Sequence, residues 1–380
     1  MQIKSKLPNI GTTIFTVMSG LAREHNAINL SQGFPDFSCS PKLLELAQKH
    51  MQAGFNQYAP MQGVIQLRER IAEIIETCYG KTFSPDTEIT VTAGATQGIY
   101  TSIAALIDKG DEVIVFEPAY DCYIPAIEVH GGVAVPVELT YPDFTINWDL
   151  VKKKITERTK MIIINSPHNP SGTTLTEKDM LTLEALVKDK NIIVVSDEVY
   201  EHMAYDNQLH QSVARYEALS NQSIIVSSFG KTVHTTGWKI GYVAAPKELM
   251  TEFRKVHQFL VFAVNHPFQL ALADYLSDKL TYLELKNFYQ GKRDLFRKLT
   301  STSRFTIEPC TGTYFQLLNY KKISEETDTD FALRLTKENK LASIPLSVFY
   351  TRKTDHKLLR FCFAKKDETL EKAAEIICKL

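Results

Sequence analysis

Residues 191–200 read NIIVVSDEVY. Ile192, Ile193, Val194 and Val195 follow one another without a polar break, and Ser196, Asp197 and Glu198 come directly after. Strict apolar–polar alternation would describe a strand with one wet face. An unbroken β-branched run describes a strand buried on both faces, as in a parallel sheet covered by helices. The polar residues at its end then fall where such sheets hold ligands, beyond the carboxyl ends of the strands.

Working outward, the same texture recurs. EITVTAG (88–94), DEVIVFEP (111–118), VAVPVEL (133–139), MIIINSP (161–167), SIIVSSFGK (223–231) and WKIGYVAAP (238–246) read as further strands. Helical patterns over 96–107, 176–189 and 247–263 lie between them. This alternation predicts an α/β fold. A large domain over 38–280 holds a mostly parallel central sheet with helices on both faces. After about residue 280 come FTIEPCTGTYFQLL, a charged helix, LASIPLSVF, LLRFCFAK and a last helix from about 367. These predict a smaller α+β domain built from 1–37 and 281–380, with a helix near 265–300 carrying the transition.

Bulk properties narrow the function. Lys and Arg number 43 against 44 Asp and Glu, so no general attraction to nucleic acid or to an acidic membrane is expected. The six cysteines form no C-x-x-C pair and have no histidine at zinc-like spacing, so no metal site is expected and a reducing, cytoplasmic setting is. No apolar run approaches the roughly 20 residues of a membrane span, and Thr, Ser and Gly interrupt the N-terminal stretch where a signal peptide would be continuous. The final Cys378-Lys379-Leu380 reads as the end of a helix rather than a peroxisomal address.

Four of the strands end in polar clusters: Thr92 to Thr96, Asn165 to Asn169, Asp197 to Tyr200, and Ser227 to Lys231. Lys231 stands in SSFGKTVHTTGWKIGY and admits three chemistries. A nucleotide P-loop would need a glycine where Ile225 stands. A serine–lysine hydrolase pair, Ser228 with Lys231, would need S-D-N and K-T-G partners, and Ser196-Asp197-Glu198 and Lys231-Thr232-Val233 do not supply them. A lysine can also form a Schiff base with pyridoxal 5′-phosphate, whose ring draws electrons from a bound substrate. That cofactor needs a carboxylate at its ring nitrogen, donors to its phenolate oxygen, a flat side chain over the ring, and amides, hydroxyls and a cation at its phosphate. Asp197, Asn169 with Tyr200, Tyr120, and the Ala95–Thr96 helix start with Ser228 and Lys239 are of those types.

The motifs NLSQGFPDF, NQYAPMQG, ITVTAGATQ, FEPAYDCY, NSPHNPSG, SDEVYEH, SSFGKT, TGWKIGY, GTYF and RFCFAKK occur in the order seen in fold-type I, class I aminotransferases. The chain resembles that family along nearly its whole length, and within it looks most like the methionine and kynurenine aminotransferase branch. The resemblance implies pyridoxal 5′-phosphate as cofactor, with Lys231 as the Schiff-base lysine and proton carrier and Asp197 at the ring nitrogen. It implies Tyr200 and Asn169 at the phenolate oxygen, Tyr120 stacked on the ring, and Ala95, Thr96, Ser228 and Lys239 at the phosphate. Lys239 stands where many relatives carry arginine, which exchanges a two-pronged grip for a point charge. Tyr58 would reach the phosphate of a neighbouring subunit, implying a homodimer with shared active sites. Arg360 would clamp the substrate carboxylate with Asn169, the loop of Gly33 would close its backbone over the substrate, and Phe34 is a further substrate-binding candidate.

Each residue also has a plainer role: Asp197 as a helix cap, Arg360 as a paired strand residue, Tyr120 as core, Asn169 as a turn former before Pro170. Their joint occurrence in order is what favours chemistry. His168, His202, His234 and His266 lie near the motifs and are expected to be structural. The pocket candidates Phe15, Phe34, Tyr120, Val264, Asn265 and Phe349 are mostly apolar, with no second arginine near. That implies methionine or aromatic donors, kynurenine included, passing an amino group to a 2-oxo acid by a ping-pong route. The alternative on the same cofactor is β-elimination from cysteine conjugates or cystathionine.

Overall fold

The structure is a computed structural model and describes residues 3–380. Its strands, in chain order, are β1 (Ile28–Asn29), β2 (Ile89–Thr92), β3 (Glu112–Glu117), β4 (Val133–Glu138), β5 (Thr159–Asn165), β6 (Ile193–Asp197), β7 (Ser223–Ser228), β8 (Gly241–Ala244), β9 (Thr306–Ile307), β10 (Phe315–Asn319), β11 (Leu341–Ala342), β12 (Ile344–Pro345) and β13 (Leu358–Cys362). Seven of them form one sheet in the order β2-β8-β7-β6-β5-β3-β4. Only β8 runs against the rest, antiparallel to both β7 and β2.

The unbroken apolar runs are explained by two cores. Along β6, Val194 faces one core while Ile193 and Val195 face the other. Along β5, Ile162 and Ile164 alternate in the same way with Met161 and Ile163. One face is covered by helices Ala95–Leu106, Tyr123–Val129 and Lys247–Leu260, which contribute Ile99, Ile103, Ile127, Met250 and Phe253. Helices Ile65–Tyr79 and Glu177–Val187 cover the other with Leu67, Ile71, Met180 and Leu183. Each such aliphatic side chain contributes roughly 2 kcal/mol by leaving water. A polar residue in such a strand is therefore costly, and Ser196 and Asp197, almost fully buried, are there against that cost.

A smaller domain follows. Its antiparallel sheet has the order β12-β13-β10-β9, and β1 pairs with β11 beside it. Helix Ile14–Glu24 packs on helix Asp328–Lys337, and helix Leu285–Thr300 on Asp367–Lys379. The expected single helix over 265–300 is three: His266–Tyr275, Leu280–Leu283 and Leu285–Thr300. Asp278 breaks it, because its carboxylate takes the backbone N–H of Leu280 (3.0 Å) in place of a helical carbonyl. Among the described residues no helix is long and apolar enough to cross a membrane.

Candidate active site

Strand register explains why distant motifs meet. Asn165 lies opposite Asp197, Asp197 opposite Val226, and Gly241 opposite both Ser228 and Thr92. The carboxyl ends of β2, β5, β6 and β7 therefore share one edge of the sheet. Reversed β8 begins at that edge, which brings Lys239 there too. A cavity of about 320 Å³ opens at this edge. Its walls include Lys231, Asp197, Tyr200, Asn169, Tyr120, Arg360, Ala95, Thr96, Ser228, Lys239 and Gly33.

One end of the cavity is built for an anion. Helix Ala95–Leu106 begins at Gly94 with no side-chain cap, leaving amides of its first turn available. Gly94 has φ +78°, and a Cβ there would lie 3.1 Å from Lys239 Nζ. The positive φ favours glycine there, and a Cβ would crowd the Lys239 ammonium. Lys239 itself is left-handed, with φ 54°, and its Nζ lies beside Gly94 at that helix start. Ser228 lies on the same wall. Amides, a hydroxyl and a cation around an open space fit a phosphate group.

Asp197 is 3% exposed. Its Oδ2 accepts from Tyr123 Oη at 2.5 Å and its Oδ1 from Val199 N at 3.3 Å. Burial pushes its carboxyl up to about 6, against those two hydrogen bonds, which lower it. Lys231 is half-buried in the cavity wall, and burial pushes its amine down to about 8. Its Nζ donates to Tyr314 Oη at 2.8 Å and to the Gly33 carbonyl at 3.0 Å. Tyr200 is buried at a right angle to Tyr314, ring centroids 5.1 Å apart.

The raised Asp197 pKa has a testable consequence. The fold favours the protonated carboxyl, so that stabilisation is fully present below the ordinary value of 3.8 and is lost as pH rises through about 6. Cofactor-free Asp197→Asn is expected to melt above the wild-type apoprotein at pH 7, with the gap closing below pH 3.8. Calorimetry across pH checks this; equal melting at pH 7 would contradict the burial account.

At the other end, Arg360 is 1% exposed and lies over the rings of Phe315 (3.9 Å), Phe15 (5.3 Å) and Phe349 (5.5 Å). Its Nη1 donates to Asn169 Oδ1 at 2.6 Å and its Nη2 to the Ser31 carbonyl at 3.2 Å. Among the described residues its buried Nε has no partner. No carboxylate among the described residues forms an ion pair with it. Burial pushes its guanidinium down to about 10. A buried cation with donors to offer at a cavity wall suits a carboxylate. It is also coupled to the far end: Asn169 N donates to Asn165 Oδ1 (2.8 Å), and Asn165 Nδ2 to the Asp197 carbonyl (2.8 Å).

Several expectations need correction. Phe34 does not reach the cavity: its ring is 44% exposed and turned outward over Lys365, although its neighbour Gly33 lines the wall. Tyr58, expected at a neighbouring subunit's site, is 81% exposed with its ring against Phe262, outside this chain's own cavity. Val264 is core, and Asn265 caps helix His266–Tyr275 by accepting from Phe268 N. Phe15 and Tyr120 do line the cavity. The histidines lie off it: burial pushes His168 and His234 down to about 4, His168 bonds Ser171, His202 sits beside Glu201, and His266 bonds the Gln57 carbonyl. Tyr123, Tyr314 and Phe315 make site contacts with no sequence signal of their own, although all three lie within quoted motifs.

The family described as Aminotransferase class I and II matches residues 25–377. Methionine aminotransferase of Escherichia coli strain K12 is 49% identical over 378 residues, covering 99% of this chain and 98% of the relative. Kynurenine–oxoglutarate transaminase of Dictyostelium discoideum is 32% identical over 414 residues, covering 98% and 95%. A solved structure of an Escherichia coli protein, reported to have a methionine aminotransferase function, superposes with a TM-score of 0.98 at 49% identity over 100% of both chains.

Proposed function

This chain belongs to the class I and II aminotransferases, and from that premise we propose that it moves the amino group of methionine or an aromatic amino acid, kynurenine included, to a 2-oxo acid. The cofactor we assign is pyridoxal 5′-phosphate, and the site's donor set fits it. The carrying observation is Arg360, a buried cation without a carboxylate of its own facing the same cavity as Lys231. When bound, the cofactor supplies an aldehyde for an amine to join and a ring that withdraws electrons from the substrate's α-carbon.

The chain's own residues do the rest. Ala95, Thr96, Ser228 and Lys239 hold the phosphate, and Tyr120 lies against the ring. Asp197 keeps a proton on the ring nitrogen; its raised pKa reflects a carboxylate held in a dry site until a cation joins it. Tyr200 and Asn169 donate to the phenolate oxygen. Arg360 and Asn169 fix the substrate carboxylate, and Gly33 closes the wall beside it. Lys231 would be the covalent tether; once released, its Nζ would take the proton from the substrate α-carbon and deliver it to the carbon that receives the amino group, and would run the same transfer in reverse for the incoming oxo acid. An amine pushed down to about 8 is neutral often enough near neutral pH to serve as that base.

Tyr58 supports a homodimer with shared active sites. It is solvent-facing here, and Phe259 (88% exposed) and Phe262 (54%) add apolar surface suited to a second copy. The domain division we assign is 38–280 against 1–37 with 281–380; the seven-stranded sheet within the former and the two smaller sheets within the latter support it. The six free cysteines suit the cytoplasmic setting we assign.

Substrate choice rests on the cavity having a single arginine, with Phe15, Ile99, Tyr120, Val199 and Phe315 also in its wall. A side-by-side donor screen of the holoenzyme should rank methionine and the aromatic donors above aspartate and glutamate. A strong preference for either acid would overturn the assignment. Pyruvate released from a β-leaving-group donor without added oxo acid would favour β-elimination instead.

A further inference from the structure

Tyr314 touches the reactive lysine from the side of the smaller domain. It is fully buried, and its ring is fixed among Tyr200, Tyr289 and Phe315 at centroid distances of 5.1, 5.6 and 4.9 Å. Its hydroxyl carries one proton, and that proton is donated to the Gly33 carbonyl. Toward Lys231 the phenol oxygen therefore acts as an acceptor, and Lys231 Nζ donates to it at 2.8 Å. The Gly33 carbonyl accepts from the same Nζ at 3.0 Å.

A neutral amine has two N–H bonds and one lone pair. Two acceptors on one side engage both N–H bonds and leave the lone pair directed away from them. We propose that Tyr314 is a positioning residue for proton transfer: with the Gly33 carbonyl, it holds the released Lys231 amine so that its lone pair faces the substrate. The acceptors come from distant parts of the chain but are braced together. Phe363 N donates to the Tyr314 carbonyl at 2.9 Å, and Cys362 N to the Leu30 carbonyl at 2.8 Å, tying the Gly33 and Tyr314 segments to the end of β13, the strand that carries Arg360. The grip on the base and the clamp on the substrate thus share one frame.

This inference rests on Lys231 being the proton carrier. Its test is Tyr314→Phe, which keeps the packed ring and leaves the Gly33 carbonyl with Lys231 as donor, so the fold should survive; circular dichroism and melting confirm that. In the holoenzyme, kcat is expected to fall about tenfold to a hundredfold, the range for losing a hydrogen bond to a charged group. KM should stay within about threefold of wild type. The kinetic isotope effect with α-deuterated methionine should rise, because proton removal becomes slower relative to other steps.

The second readout does not depend on turnover. In the apoprotein, pH-dependent reductive methylation of Lys231, followed by mass spectrometry, titrates its amine. An acceptor stabilises the ammonium more than the amine, so its loss should move the midpoint to lower pH. The proposal is overturned if the midpoint does not move down, or if kcat and the isotope effect match wild type. A wild-type enzyme that lacks transamination altogether would instead sink the proposed function, and the two failures are distinct.

Discussion

Lys231→Ala, purified with pyridoxal 5′-phosphate, is expected to lose at least about 10⁴-fold in transamination, the upper range for a positioned acid–base group. The proposed function puts two roles on one nitrogen, the covalent tether and the proton carrier, and among the described residues the site has no second amine placed to assume them. Lys239 is the other lysine in the cavity wall, and its Nζ lies against Gly94 at the anion end. The variant should fold normally. Lys231 makes no ion pair among the described residues, and burial already disfavours its charge. Removing it should leave the apoprotein's melting temperature equal or higher. Steady-state kinetics and the absorbance near the visible edge read both roles together, since that band requires the tether. Retention of more than about a tenth of wild-type turnover would remove Lys231 from the mechanism.

The large sheet was legible because its strands are buried on both faces, so hydrophobicity runs unbroken from Ile192 to Val195 and from Met161 to Ile164. The convergence of strand ends was legible for a similar reason: polar residues directly after such runs have only one edge to occupy. Direction within a segment was not legible. Gly33 and Phe34 are adjacent, yet the carbonyl of one meets Lys231 while the ring of the other turns to Lys365. A contact set by the path of the chain after a loop has no signature in residue type. Tyr123 and Tyr314 show the complementary failure. Each stands in a quoted motif, but as an aromatic next to apolar residues it reads as core, and core is where its ring lies; only the hydroxyl reaches the site, bonded to Asp197 or facing Lys231. The break at Asp278 was missed because a local side-chain bond to Leu280 N outweighed helical periodicity.

Arg360→Met should separate stability from function. The guanidinium is 1% exposed, lacks a carboxylate partner among the described residues, and has an unbonded Nε. Its pKa, pushed down to about 10 by burial, is the fold's resistance to holding that charge. Methionine matches the unbranched stem and places a soft sulfur among the rings of Phe15, Phe315 and Phe349. Replacing an uncompensated buried charge with a well-packed apolar side chain is neutral or stabilising. The apoprotein is therefore expected to melt no lower than wild type. Catalysis should move the other way. Losing one partner of a buried charge pair costs about 2–5 kcal/mol, so kcat/KM for methionine should fall by roughly 30- to 5,000-fold, most of it in KM. Arg360→Lys should recover little, because a single ammonium cannot reproduce a two-pronged grip and would leave Asn169 or Ser31 without its donor. Kinetics and calorimetry on the same preparations decide the case. A variant with near-normal kcat/KM would place the substrate carboxylate elsewhere. A variant that melts far below wild type would make Arg360 a structural cation, and its open Nε would no longer point to a substrate.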